Sequence, residues 1–105
     1  MKQPRVYILA SKRNGTLSIG VTSNIGQRIG QHRSGEMGGF TDQYNVRTLV
    51  HAEFHASMAD AILREKRLKV WRRIWKLRLI GQGNPQWRDL CDDFVPGAGP
   101  SPARG

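Results

Sequence analysis

Glu65 stands where a carboxylate is expensive. In the segment after Ser57, the residues Met58, Ala61, Ile62 and Leu68 recur at helical spacing, and Glu65 falls inside that apolar stripe, between Ala61 and Leu68. An inward carboxylate without a partner costs several kcal/mol, so Glu65 is expected to meet a cation, either an arginine side chain or a metal ion. A second stripe repeats the pattern with opposite charge: Ile25, Arg28, Ile29 and His32 share one helix face. The Arg28 side chain can snorkel out of such a face. Alternatively, Arg28 and His32 stacked one turn apart suit a phosphate, with a planar guanidinium for its oxygens and an imidazole able to move a proton.

Two more sets lie on strand-like segments. If Asn14-Gly15 forms a two-residue turn, Ser18 faces Ser11 and Gly20 faces Leu9, which puts Tyr7 and Ser18 on one sheet face and leaves room at Gly20 for close approach. His51, Glu53 and His55 alternate and would point to one side, as a zinc site requires. Such alternation is ordinary on a half-exposed strand, however, and no fourth ligand is evident, so no metal is assigned there.

The elements that must position these groups are legible from periodicity. Arg5 to Ser11 and Thr16 to Thr22 are β-rich runs separated by Lys12-Arg13-Asn14-Gly15, a strong hairpin signal. Ser23 or Asn24 caps a helix from Ile25 to His32, Gly35 to Gly39 supplies a loop, and Arg47 to His55 reads as a strand. Ser57-Met58-Ala59-Asp60 opens a helix running to about Trp71, and Arg72 to Ile80 forms another, stopped by Gly81-Gln82-Gly83 and Asn84-Pro85. The order is β-β-α-β-α-α, an α/β or α+β layer arrangement. Residues 1–95 are expected to form a single domain, with a Pro- and Gly-rich disordered tail over 96–105.

Charge narrows the partner. The 105 residues carry 17 Lys and Arg against 8 Asp and Glu, a formal +9. The excess is concentrated in Arg64, Lys66, Arg67, Lys69, Arg72, Arg73, Lys76 and Arg78, a stretch whose sole acid is Glu65. Such a run repels itself, and phosphates relieve the repulsion while releasing their counterions, so nucleic acid is the expected partner. Trp71 and Trp75 lie within the run at i,i+4; they are expected to pack inward, with stacking on bases as the alternative. The single cysteine, Cys91, has no internal disulfide partner, and the apolar run Val6 to Ala10 is too short for a signal segment or membrane span. A cytoplasmic protein without membrane association is the expectation.

Taken in order, Val6-Tyr7-Ile8-Leu9, then Gly15-Thr16-Leu17-Ser18-Ile19-Gly20-Val21-Thr22, then Arg28 with His32, Arg64-Glu65-Lys66, and Asn84-Pro85 with Trp87, resemble the GIY-YIG nuclease domain. Its short standalone bacterial branch is the nearest match. The resemblance spans nearly the whole expected domain, and five motifs in order are far more specific than any one. It implies a small three-stranded, mostly antiparallel sheet flanked by helices, and hydrolysis of nucleic-acid phosphodiesters with one divalent ion, Mg²⁺ or Mn²⁺. DNA is favoured over RNA. By position, the resemblance makes Tyr7, Arg28, His32 and Asn84, with Ser18 at the place of the second motif's tyrosine, the catalytic set and Glu65 the metal ligand; from the charge, Arg64, Lys66, Arg67, Lys69, Arg72, Arg73 and Lys76 are the expected nucleic-acid contacts. Two departures stand out: Val6 replaces the first motif's glycine, and Ser18 replaces the second motif's tyrosine. The second leaves two functions of different class, an endonuclease of reduced activity, or a weakly active or inactive nucleic-acid-binding domain on the same fold.

Overall fold

Strand β1 (Arg5–Ala10) is apolar on both faces, and the fold covers both. β2 (Leu17–Thr22) and β3 (Thr48–Phe54) pair with it antiparallel, one on each side, giving the strand order β2-β1-β3. The computed structural model describes residues 3–34 and 45–94. Among these, helix α1 (Ile25–Ser34) follows β2, and α2 (Met58–Val70), α3 (Arg73–Gly83) and a short 3-10 turn (Leu90–Asp93) follow β3. The expected order β-β-α-β-α-α is therefore the observed one, with the 3-10 turn added. The expected loop at Gly35 to Gly39 and the tail over 96–105 lie outside the described residues.

Alternation along β1 assigns the layers. Tyr7 and Leu9 face Ile25 and Ile29 of α1, with Val46, Leu49 and Cys91 closing that core. Val6, Ile8 and Ala10 face the other way, against Ala61 and Leu68 of α2 and Ile80 of α3. The caps are specific. Asn24, not Ser23, caps α1, its Oδ1 accepting the Gln27 amide at 3.1 Å, while Ser57 Oγ accepts the Asp60 amide at 3.1 Å at the head of α2.

Two sequence expectations are corrected. The hairpin register is shifted by two residues: Tyr7 pairs with Gly20 and Leu9 with Ser18. The loop is not a two-residue Asn-Gly turn; Ser11 donates to Thr16 across a four-residue connection, which Gly15 N–H closes onto the Lys12 carbonyl at 2.9 Å with Asn14 at φ 58°. Because side chains alternate with a period of two, this shift leaves Tyr7 and Ser18 on the same face. Helix α3 also runs three residues past Ile80. Gly81 and Gly83 sit inside its last turn, and it stops at Asn84, whose amide donates to the Ile80 carbonyl at 2.8 Å and which precedes helix-disfavouring Pro85.

Candidate active site

The candidate site forms where Tyr7 crosses the edge strand β2. Tyr7 is only 4% exposed, and its ring and hydroxyl fill the space that a Cβ on Gly20 would occupy. A glycine opposite the tyrosine is thus a packing requirement, since any larger residue displaces the ring. On the same face of β2, Ser18 stands two residues from Gly20.

Helix α1 brings the cation. Asn24 fixes its start and Ile25 and Ile29 anchor it in the core, so that Arg28 reaches back over the sheet and hydrogen-bonds the Tyr7 hydroxyl. Glu65 comes from the opposite layer, α2, which packs along β2 and stands near enough for its charge to act on Tyr7. Its side chain is 16% exposed and pairs with Lys69 Nζ at 3.2 Å, one helical turn away. Burial pushes the Tyr7 hydroxyl above its usual 10.0; the charge and hydrogen bond of Arg28 pull it back in part, and the Glu65 charge pushes it up again. Tyr7 is therefore a neutral phenol at neutral pH.

The other expected site residues are distributed as follows. His32 lies on α1 one turn beyond Arg28, with its side chain outside the described atoms. Asn84 is 5% exposed and its amide is turned to main chain: Nδ2 donates to the carbonyls of Val50 at 3.2 Å and Arg88 at 2.8 Å, and Oδ1 accepts the Arg88 amide at 3.1 Å. It ties the turn after α3 to β3. Within the basic run, Lys66, Arg67, Lys69, Arg72 and Arg73 are exposed. Arg73 also donates to the carbonyls of Asn14 at 2.7 Å and Gly15 at 2.6 Å, and Lys76 reaches the Lys69 carbonyl at 3.4 Å.

Arg64 is engaged elsewhere, in a cluster that sequence reading did not assemble. Its Nε donates to Glu53 Oε1 at 2.8 Å, while His51 Nε2 lies 2.8 Å from Oε2 and His55 Nε2 2.9 Å from Oε1. Burial alone would raise the Glu53 carboxyl, but hydrogen bonds from His51, Arg64 and His55, with the Arg64 charge, outweigh it and hold Glu53 at about 2. Alternation did place His51, Glu53 and His55 together, the last just past the end of β3. What it lacked was the helix cation that completes the set.

The sequence profile described as the GIY-YIG catalytic domain matches residues 3–78. The chain belongs to the GIY-YIG family. A UPF0213 protein of Syntrophus aciditrophicus is 38% identical over 87 residues, covering 82% of this chain and 98% of that protein. Another, from Staphylococcus haemolyticus, is 34% identical over 80 residues, covering 76% and 96%. The solution NMR structure of a UPF0213 protein from Bacillus halodurans superposes with a TM-score of 0.51 at 23% identity over 89% of this chain and 98% of that one, a likeness of fold. GIY-YIG domains are nuclease domains that bind nucleic acid and generally use a divalent metal. In this GIY-YIG chain the matched stretch holds Tyr7, Ser18, Arg28, His32 and Glu65, whereas Asn84 lies beyond it. No helix among the described residues is long and apolar enough to cross a membrane.

Proposed function

We propose that this GIY-YIG chain is a divalent-metal-dependent endonuclease that hydrolyses DNA phosphodiester bonds at the Tyr7, Arg28 and Glu65 site. The observation that carries the reading is the guanidinium of Arg28 hydrogen-bonded to a buried neutral phenol within the field of a half-buried carboxylate. A neutral partner fixes Arg28 without cancelling its charge, which stays available to a phosphate.

The donor set fits one hard divalent ion. Among the described residues no group of three or more His, Cys, Asp or Glu side chains is arranged to hold a metal, so a cage built wholly of protein ligands has no support. Mg²⁺ and Mn²⁺ are held by one or two carboxylates with water and substrate oxygens filling the rest, and Glu65 supplies one carboxylate of that kind. When bound, such an ion supplies Lewis-acid charge to the phosphoryl oxygens.

The residues then divide the work. Arg28 holds a non-bridging oxygen. Tyr7 accepts from Arg28 and uses its own O–H to orient the attacking water or a phosphate oxygen. His32 is the group proposed to move the proton. Asn84 acts at a distance by holding the turn beside β3. Lys66, Arg67, Lys69, Arg72, Arg73 and Lys76 take the flanking phosphates, beside Arg64, whose Nε and Nη2 are held on Glu53. Ser18 replaces a phenol with a hydroxyl that stops several ångströms short, so cleavage is slow, and this residue also favours the second reading, a nucleic-acid-binding domain without turnover.

Incubation of the purified protein with branched, single-stranded and duplex DNA, in Mg²⁺, Mn²⁺ or EDTA, tests the proposal. Cleavage that needs the ion, disappears in Glu65→Gln and rises in Ser18→Tyr is expected. Binding without cleavage by both wild type and Ser18→Tyr would establish the second reading instead.

A further inference from the structure

The corner between α2 and α3 carries a feature that the phosphodiester site does not use. Trp71 and Trp75 meet edge to face, with ring centroids 6.1 Å apart and planes at 86°. Trp71 packs against the core of Val6, Ala61 and Leu68, whereas Trp75 stays 46% exposed. Together with Arg78, Leu79 and Gln82 they line an open recess of about 180 Å³. Trp75, Arg78, Leu79 and Gln82 follow the i, i+3, i+4, i+7 spacing of one helix stripe. A stripe headed by tryptophan is normally core. Here it opens outward.

Among the described residues, every charged side chain at this corner that lines the recess or stacks on its rings is cationic. The Arg64 guanidinium lies 5.0 Å from the Trp71 ring centroid, and that of Arg72 lies 5.7 Å from that of Trp75. Glu53 anchors Arg64 and so fixes one wall in advance. Arg78 and Gln82 make no side-chain hydrogen bond or ion pair among the described residues, so both remain available to a ligand. The recess is smaller than the few hundred Å³ that a drug-sized ligand fills, and it suits a single planar ring system. Aromatic walls, a cationic rim and a free amide match a planar base carried on an anionic backbone.

We propose that the recess between Trp71 and Trp75 receives one unpaired nucleobase, stacked on Trp75, with its phosphates on Arg72 and Arg78 and its edge read by Gln82. The inference rests on the nucleic-acid-binding part of the function proposed above. It makes an unpaired nucleotide, rather than the regular duplex, the feature this chain recognises beside the cut.

Tryptophan fluorescence titration in EDTA, where nothing is cut, tests this with a single-stranded DNA oligonucleotide, the same sequence as RNA, and the DNA annealed to its complement. Trp75→Ala is expected to weaken binding of both single strands about ten-fold and leave the duplex unchanged. Trp75→Phe, which keeps an aromatic face, should retain most of the affinity. The slope of log affinity against log salt should stay constant, because no phosphate contact is removed. Unchanged duplex binding also reports that the variant folds. Equal losses on single strand and duplex, no loss on either, or conversion of a dimer to a monomer by Trp75→Ala would each overturn the proposal. If the wild type binds none of the three probes, the nucleic-acid reading falls too; duplex binding with no Trp75 effect removes this inference alone.

Discussion

Replacing Glu53 by glutamine should destabilise the protein at neutral pH and hardly at all in strong acid. A carboxyl held at about 2 instead of 4.5 contributes, when ionised, at most about 3 kcal/mol to the folded state. The Glu53 side chain is 20% exposed and its partners 14% to 28%, so solvent screens part of that, and about 2 kcal/mol is expected at pH 7. The sign follows from the lowered pKa. Below 4.5 the unfolded chain binds a proton that the folded chain refuses, so the stabilisation is complete above that pH and is lost as pH falls toward 2. Urea unfolding followed by far-ultraviolet circular dichroism, on wild type and Glu53→Gln at several pH values, reads the difference directly. The gap should be about 2 kcal/mol at pH 7 and close to zero at pH 2. A gap that is constant across the range, or absent at pH 7, would refute the assignment of the cluster's stability to an ionised Glu53.

Three further outcomes are expected. In Gly20→Ala the new methyl meets the Tyr7 ring, so stability should fall by about 1–3 kcal/mol in thermal or urea unfolding, and any cleavage should fall further than the folded fraction does. In a Tyr44→Phe background, which leaves Tyr7 as the only tyrosine, phenolate absorbance should show titration above 10.0, moved higher by Arg28→Ala and lower by Glu65→Gln. The Tyr7 contribution to stability, whole below that pH, should disappear as pH rises through the raised value. Asn84→Ala removes hydrogen bonds to Val50 and Arg88 from a buried position and should cost about 2 kcal/mol in urea unfolding, with nucleic-acid affinity per folded molecule unchanged.

Local patterns determined a great deal. Alternation and helical spacing set the element order and placed Glu65 on an inward stripe and Tyr7 and Ser18 on one face. That last inference survived a two-residue error in register because faces depend only on parity. Charge density located the basic run. Tertiary structure decided which partner each long side chain takes: Arg28 goes to Tyr7, Arg64 to Glu53, and Arg73 to the hairpin carbonyls. It also brought Glu65 from the far layer into the field of Tyr7, and left Trp75 open where its spacing alone predicted burial. Spacing fixes the direction of a Cβ along its own element. An arginine or glutamate head extends well beyond that atom, and what it meets is set by how separate elements pack, through contacts as distant in sequence as Arg73 and Asn14.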